Sequence, residues 1–301
     1  MPYPINTFKQ YYGNKYGQPV GKIALDAGLQ CPNRKKGGCI YCSAESFTPF
    51  YLQKGDSIAT QLKKGKNFLK KKGFVKHFAY FQQETTTAAP LTELIPQFSL
   101  ALSDRDCIGL IISTRPDYVE EDLLAQLARI AEQAGDKEIL FELGLQSAHD
   151  RTLDFLNRNH TYEDFVRAVG KIRGHGTIVL GVHLILGLPG EDLEDMLATV
   201  RRICDLGVDY IKFHHLQVVK DTRLHEIYEQ KPFKTFQPSE YLEVLADILT
   251  YIPGEVVIHR LWSTAAPDLL VGPCWNLPSY KLNNTLLQIM RERSLYQGKR
   301  V

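Results

Sequence analysis

The chain of 301 residues has a formal net charge of +2, and its apolar, aromatic and charged fractions are those of a soluble globular protein. The length allows one large α/β barrel or two ordinary domains. No stretch approaches the roughly 18–20 consecutive apolar residues of a membrane-spanning helix. The first residues lack a basic region followed by an apolar one. A secretory signal is therefore not expected, and the cytoplasm is the expected location.

Short apolar runs alternate along the chain with longer amphipathic ones. We expect strands over residues 22–27, 77–82, 107–113, 138–144, 178–186, 210–216 and 255–259. We expect helices over residues 57–72, 91–102, 119–133, 161–173, 192–205 and 239–251. Apolar strands separated by such helices indicate repeated β-α units and a parallel sheet buried on both faces. The expected fold class is α/β, as a barrel or partial barrel with its chemistry at the carboxyl ends of the strands.

No internal repeat or low-complexity linker divides the chain. Residues 1–21 are rich in Tyr, Lys, Asn and Gly, and we expect them to wrap the outside of the fold. The β-α units are expected to form one domain over residues 22–222, with residues 223–301 as a C-terminal extension packed on it.

Three cysteines, Cys31, Cys39 and Cys42, crowd the loop after the first predicted strand. A structural zinc site normally has four protein ligands, and no fourth cysteine or histidine lies between residues 20 and 60. Three thiolates suit an iron–sulfur cluster that keeps one iron open. The scattered Cys107, Cys204 and Cys274 are expected to be small buried hydrophobes, and a disulfide framework is not expected.

Polar side chains collect at the ends of six successive predicted strands. They are the cysteine loop, Gln82–Thr85, Ser113–Asp117, Gln146–Ser147, Gly187–Glu191 and His214–His215. Glu142 and Gln146 alternate with leucines, so they share one face of a strand. A strand buried on both faces would not tolerate them without polar partners, which favours a lined pocket.

Each of these features also has a purely structural interpretation. Residues 187–191 are typical of a turn that starts a helix, and Arg115 is compatible with an ordinary ion pair. His183, inside an apolar strand, is compatible with a hydrogen-bonded core histidine. Arg158 and His160 are compatible with an exposed pair.

A dense basic block follows the cysteine loop. Its members are Lys54, Lys63, Lys64, Lys66, Lys70, Lys71, Lys72 and Lys76. One interpretation is the solvated face of a helix. The other is a phosphate-binding strip for a nucleic acid, because lysine clusters give affinity that is independent of sequence.

Taken together, these motifs resemble those of the radical S-adenosylmethionine (SAM) enzymes. More narrowly, the chain resembles the bacterial YhcC/YtqA branch, which is related to the catalytic subunit of Elongator and to oxygen-independent coproporphyrinogen oxidase. The motifs that carry the resemblance are Leu25–Arg34, Gly37–Cys42, Tyr80–Glu84, Ser113–Asp117, Glu142–His149, His183–Glu191, Ile211–Leu216 and Val218–Lys220.

The resemblance implies a partial (β/α)6 barrel, similar to a TIM barrel, with a C-terminal extension. It implies that Cys31, Cys39 and Cys42 hold three irons of a [4Fe–4S] cluster, and that SAM chelates the fourth iron. The implied electron donor is a carrier such as flavodoxin or ferredoxin. The residues placed around the cofactors are Tyr41, Gln82, Gln83, Glu84, Glu142, Gln146, Arg158, His183, Ile185 and Gly187.

The sequence departs from the family pattern at three points. Only seven residues separate Cys31 from Cys39, fewer than is usual in the family. His183 stands where the coproporphyrinogen oxidase group carries an aspartate, which affects the implied ribose contact. The acetyltransferase domain of the Elongator subunit has no counterpart.

The branch resemblance also implies tRNA as the partner, and no membrane. Gram-positive members are linked to conversion of carboxymethylaminomethyl-uridine to aminomethyl-uridine at the wobble position. Candidate residues for catalysis or for recognition of a carboxylate or phosphate are Arg115, Lys212, His214, His215, Lys220, His259 and Arg260.

Two alternatives remain open at this stage. One is a radical SAM enzyme that acts on a small molecule or a protein, for which salt-sensitive tRNA binding is not expected. The other is a zinc-binding RNA-binding protein without catalysis, which would need a fourth ligand near the three cysteines.

Overall fold

The computed structural model describes residues 3–53, 55–263 and 265–301. Its main strands are β1 (Val20–Leu25), β2 (Lys76–Phe81), β3 (Cys107–Thr114), β4 (Glu138–Gln146), β5 (Ile178–Leu186), β6 (Tyr210–His215) and β8 (Val257–Arg260). They form one parallel sheet in the order β1-β2-β3-β4-β5-β6-β8. A separate antiparallel pair consists of β7 (Val218–Val219) and β9 (Leu270–Gly272). The sheet curls into a half-barrel, which confirms the predicted partial barrel.

Helices cover the outer face of this sheet and lie at its edges. In the described part of the chain they are α1 (Phe8–Tyr16), α2 (Ile58–Lys71), α3 (Leu91–Leu102), α4 (Glu121–Gln133), α5 (Asp150–Phe155), α6 (Tyr162–Gly174), α7 (Leu193–Asp205), α8 (Arg223–Gln230), α9 (Pro238–Leu249) and α10 (Ser279–Glu292). The predicted strands and helices agree with these bounds to within two residues at each end.

Alternation along each strand divides its side chains between two environments. In β4, Phe141 and Leu143 are fully buried against the helices, in a core that also contains Phe165 of α6. Leu140 and Glu142 of the same strand face the barrel interior. Inward positions therefore decide what the barrel can bind, while outward positions hold the fold together.

The N-terminal segment lies deeper than the expected wrap around the outside. Thr7 bridges to Ile258 of β8, and α1 packs against both β1 and β8, the two edges of the sheet. Tyr12 is 2% exposed and packs with apolar side chains of the barrel interior. Helix α1 has no clear apolar periodicity. It is fixed by a capping box between Thr7 and Gln10 and by a left-handed Gly17.

The C-terminal segment contributes to the sheet itself, because its strand β8 pairs with β6 as the seventh strand. Of the three scattered cysteines, Cys107 is buried and Cys204 is half-buried, whereas Cys274 is exposed, so its predicted burial is wrong. Cys274 follows the short strand β9, which lies outside the main parallel sheet. Among the described residues, no helix has the length and apolar character needed to cross a membrane.

Candidate active site

A cavity of about 250 Å³ opens at the carboxyl ends of the strands. It gathers side chains that are far apart in the sequence and that were predicted from separate strand ends. The predicted residues that line it are Cys31, Cys39, Tyr41, Cys42, Gln82, Glu84, Arg115, Gln146, Arg158, His183, Ile185, Lys212, His214, His215 and Arg260. The cavity therefore brings together side chains that the packing of a core does not require to be close to one another.

The cysteine loop is shaped by its own backbone. A short 3-10 helix over Pro32–Lys36 follows Cys31, and Gly37 and Gly38 then adopt left-handed φ values of 89° and 72°. Side chains bearing a Cβ rarely adopt these values, so glycine suits both positions. The turn returns the chain so that the second and third cysteines face the same cavity as the first.

A second turn, which follows α5, holds this loop in place. The side-chain amide of Asn33 donates to the Asn157 carbonyl at 2.8 Å, and that of Asn157 donates to the Gly38 carbonyl at 2.6 Å. Arg34 forms an ion pair with Glu84, and Glu84 also accepts from the backbone N–H of Cys31 at 3.1 Å. The short loop is therefore tied to the segment after β2 and to the turn after α5.

The sulfur atoms accept hydrogen bonds from three different segments. Asn33 Nδ2 lies 3.3 Å and Arg158 Nη1 3.2 Å from the sulfur of Cys39, and Thr85 Oγ1 lies 3.1 Å from that of Cys31. Burial raises the pKa of Cys39, but the Arg158 charge and these hydrogen bonds outweigh it, so the net pKa is below its usual value. Burial and the nearby Cys39 raise the pKa of Cys42 to about 12.

The three cysteines line one cavity, and they are the kind of donor that a cluster uses. Within the described ranges, no three or more His, Cys, Asp and Glu side chains are placed to share one metal ion. A zinc ion needs all of its ligands within about 2.3 Å of one point, whereas a [4Fe–4S] cluster spreads three thiolates over three irons. Three thiolates that face one cavity therefore fit the cluster.

Two non-glycine residues beside the cysteines have left-handed backbone angles. Glu84 has φ 54° and Gln146 has φ 77°, directly after β2 and at the end of β4. Such conformations are costly for residues with a Cβ and concentrate at functional sites. In β4 the register also shifts between Gly144 and Gln146. Gln146 lines the cavity at this irregular end of β4.

Five predicted site residues do not line the cavity, and one of them, His259, lies inside the barrel 3.2 Å from Lys22. Gln83 is buried and donates to Thr48, and Gly187 lies against the Phe236 ring, where an added Cβ would come within 2.7 Å. Glu142 lies beneath the cavity with no exposed side-chain surface. Lys220 is exposed, at a position where only its backbone N–H is engaged among the contacts that the structure describes. These residues support the site or lie outside it, rather than facing a cofactor in the cavity.

Glu142 organises a polar network inside the barrel. Its Oε2 accepts hydrogen bonds from Tyr80 at 2.5 Å, His183 at 2.6 Å and Lys212 at 3.2 Å. Burial would raise the pKa of Glu142, but Lys212 and the histidine contacts hold it well below its usual value. Burial lowers the pKa of Lys212 to about 7 and that of His183 to about 4.

The remaining candidates differ in their surroundings. Arg115 is buried in an ion pair with Asp117, with its Nη1 unpaired at the cavity among the described residues. His215 stacks on Trp275 with ring centroids 3.7 Å apart. His214 lines the cavity, and its Nε2 is buried without a hydrogen-bond partner in the described part of the chain.

The basic block does not form one strip. Lys64 pairs with Asp56, and Lys66 pairs with Asp104 and Asp106. Lys70 and Lys71 lie at the end of α2, about 20 Å along the helix axis from Ile58, where the helix begins. Lys54 lies outside the described residues. Most of the block is therefore solvated or ion-paired, away from the cavity mouth.

Three contributing residues were not anticipated. Asn33 and Thr85 donate to cysteine sulfurs, and Lys22 lies inside the barrel 3.2 Å from His259. For Lys22 the sequence carries a signal, because a lysine within a buried strand needs a polar partner. Thr85 belonged to the polar strand-end residues but had no role of its own, and Asn33 gave no signal, since a polar residue in a loop is ordinary.

The family now follows from fold and site together. Residues 28–203, more than half of the chain, match the model of the radical SAM superfamily, and residues 208–292 match the radical SAM C-terminal domain. The chain belongs to the radical SAM superfamily, whose enzymes use a [4Fe–4S] cluster and SAM. The predicted family, enzyme class and cofactors are confirmed.

Three individual proteins show which members of the superfamily this chain is similar to. The uncharacterized protein YtqA of Bacillus subtilis is 35% identical over 99% of this chain and 95% of its own length. The tRNA uridine(34) acetyltransferase of Methanocaldococcus jannaschii is 28% identical over 53% of this chain and 29% of its own length. The structure of Methanocaldococcus infernus Elp3 superimposes with a TM-score of 0.70 and 20% identity. It covers 92% of this chain and 64% of the Elp3 chain, so this chain spans less than two thirds of that protein.

Proposed function

We propose that this radical SAM enzyme modifies tRNA by converting carboxymethylaminomethyl-uridine to aminomethyl-uridine at the wobble position. Support comes from relatives named as tRNA uridine(34) acetyltransferases, which share about half of this chain. Those relatives are much longer proteins, so only the shared barrel supports the choice of substrate.

The observation that carries the proposal is the composition of the cavity at the strand ends. One side presents Cys31, Cys39 and Cys42, and another presents Lys212 and Arg260. A cavity of about 250 Å³ does not admit a folded partner, so the substrate reaches it as an inserted group. A substrate that carries an anionic group on one base suits these dimensions and this charge.

In this proposal the three cysteines hold the cluster, and the bound cluster and SAM supply a deoxyadenosyl radical. Asn33, Thr85 and Arg158 donate hydrogen bonds that orient the cysteine sulfurs and offset their negative charge.

The other walls of the cavity position the cofactor and exclude water. Tyr41 and Ile185 line it with apolar surface suited to adenine, and the Tyr41 hydroxyl accepts from Arg158 at 3.2 Å. Gln146 adds an amide beside them. A shielded site matters because an exposed radical would react with the wrong group.

The RNA backbone would be held outside the cavity. Lys35 and Lys36 are exposed in the cysteine loop, and their ammonium groups have no partner among the described side chains. We therefore assign the phosphate contacts to Lys35 and Lys36, rather than to the basic block on α2.

We place the reaction in the cytoplasm, with an electron carrier such as flavodoxin or ferredoxin as the reductant.

The test is a nucleoside profile of tRNA from cells that lack this protein. We expect carboxymethylaminomethyl-uridine to accumulate and aminomethyl-uridine to disappear, with recovery on re-expression. Re-expression of a Cys39→Ser variant should not restore the profile. Unchanged wobble uridines would end the tRNA proposal and favour a small-molecule or protein substrate.

A further inference from the structure

We infer that Arg260, together with Lys212, forms an anion site that binds the carboxylate of the substrate and so determines specificity. The inference rests on the proposed function for the identity of the substrate. The presence of an anion site rests on the geometry of β6 and β8 alone.

An irregularity in β8 places Arg260 in the cavity. Ile211 of β6 pairs with Ile258, but the next residue, Lys212, pairs with Arg260, so His259 is an extra residue in the ladder. Strict alternation would turn Arg260 outward, opposite to the inward His259. The bulge instead aims Arg260 into the cavity beside Lys212.

Arg260 has no side-chain partner in the part of the chain that the structure describes. A guanidinium carries five donors and stays charged at all physiological pH values, so leaving it unpaired at a partly buried position is costly. The surroundings are cationic as well, because Lys22 and Lys212 both lie close enough to interact with it electrostatically.

The described lining of the cavity holds no free carboxylate to neutralise this charge. Glu84 is the only acidic residue among the described side chains there, and it is paired with Arg34. A second cavity of about 310 Å³ reaches Lys212 and Arg260 from the side of α1 and α2, and its described lining contains no acidic residue. Glu142 accepts from Lys212 and holds that side chain in place, so of these two cations Arg260 is the one that keeps its charge unpaired among the described residues.

The depth of the site favours a carboxylate carried on a base over a backbone phosphate. Lys212 lies three residues before the end of β6, about 10 Å below the carboxyl edge of the sheet. Arg260 is level with Lys212 in the ladder. A group that projects from an inserted base reaches this depth, whereas the sugar-phosphate backbone stays at the mouth.

The test measures binding of three probes to the full-length protein by calorimetry. The probes are the nucleoside carboxymethylaminomethyl-uridine, its carboxamide analogue and inorganic phosphate. We expect the wild type to bind the carboxylate about 10- to 100-fold more tightly than the carboxamide, as loss of a charge-assisted hydrogen bond predicts. Arg260→Gln should abolish this preference, Arg260→Lys should restore part of it, and the exposed control Arg129→Gln should retain it.

The outcomes separate this inference from the proposed function. Equal affinity of the wild type for the carboxylate and the carboxamide, including no affinity for either, overturns the anion site. So does tighter binding of phosphate, or an unchanged preference in a folded Arg260→Gln protein. If such a protein still converts tRNA, the function stands without the anion site. An Arg260-dependent carboxylate preference without tRNA conversion supports the anion site and contradicts the function.

Discussion

The two walls of the cavity are built in opposite ways. The cysteine wall, Cys31, Cys39 and Cys42 with Arg158, comes from loops that other loops tie down through Asn33 and the turn after α5. The cationic wall, Lys212 and Arg260, comes from residues inside strands of the sheet. The spacing of the cysteines in their loop can change without disturbing the core. The positions of Lys212 and Arg260, in contrast, are fixed by the register of β6 and β8.

This difference assigns different roles to the two walls. In the proposed function the cysteine wall holds the cluster, and local hydrogen bonds support its loop, in which seven residues separate Cys31 from Cys39. The cationic wall is set by the register of β6 and β8, which suits selection of a substrate. The experiments below perturb one wall while leaving the other intact.

The largest effect is expected from Cys39→Ser. Loss of one thiolate should remove the cluster, and both iron content and SAM cleavage should fall to background after anaerobic reconstitution. The matched control is Cys274→Ser, because Cys274 is exposed and lies outside the cavity lining. A Cys39→Ser protein that retains its iron would contradict the assignment of this wall.

The second-largest effect is expected from Glu142→Gln, because this substitution leaves the Lys212 side chain buried without its counter-charge. We expect the free energy of unfolding at pH 7 to fall by about 3–5 kcal/mol in chemical denaturation. The surface control Glu121→Gln should cost less than about 1 kcal/mol.

The pH dependence of that effect has a defined sign. The folded-state pKa of Glu142 lies well below its usual value, so its contribution to stability is present above the unfolded pKa of about 4.3. That contribution is lost as pH falls through the folded pKa. The wild type and Glu142→Gln should therefore converge in stability as the pH is lowered, and a constant difference would argue against a charged Glu142.

A smaller effect is expected from Asn33→Ala. Removing a donor to the Cys39 sulfur should weaken cluster retention by about 10- to 100-fold in a chelator competition assay. The exposed Asn67→Ala on α2 serves as the control and should behave as the wild type. Equal retention in both variants would mean that the hydrogen bond does not support the cluster.

The smallest effect concerns binding of the RNA backbone. When Lys35 and Lys36 are both replaced by glutamate, the slope of log affinity for tRNA against log salt concentration should become shallower. The expected change is about 0.7–0.9 for each phosphate that the protein no longer neutralises. The same replacement at Lys70 and Lys71, at the far end of α2, should leave the slope unchanged. The opposite pattern would return the lysine block to the role of RNA-binding strip.

Much of the fold followed from hydrophobic patterning, because parallel strands buried on both faces give continuous apolar runs. Helix α1 was not predicted, since its capping box and left-handed Gly17, rather than an apolar stripe, define it. The placement of β8 as the seventh strand depends on long-range pairing with β6, which periodicity does not report.

The candidate site likewise has one part that the sequence predicts and one part that depends on long-range strand pairing. The cysteine wall was predictable because clustered thiols carry their chemistry in the local sequence. The sequence named Lys212, Lys220 and Arg260 as candidates but could not rank them. The structure ranks them, because it shows that Lys220 is exposed and that the strand register directs Lys212 and Arg260 into the cavity. The bulge at His259, which turns Arg260 inward, leaves no mark in the sequence.

The most direct test of the account uses the reconstituted enzyme with SAM, a reductant and tRNA isolated from cells that lack this protein. The measurement is mass spectrometry of the tRNA nucleosides before and after incubation. The account predicts that carboxymethylaminomethyl-uridine is consumed and aminomethyl-uridine appears, with neither change in the Cys39→Ser protein. Cleavage of SAM by the wild type with every tRNA nucleoside unchanged would contradict it.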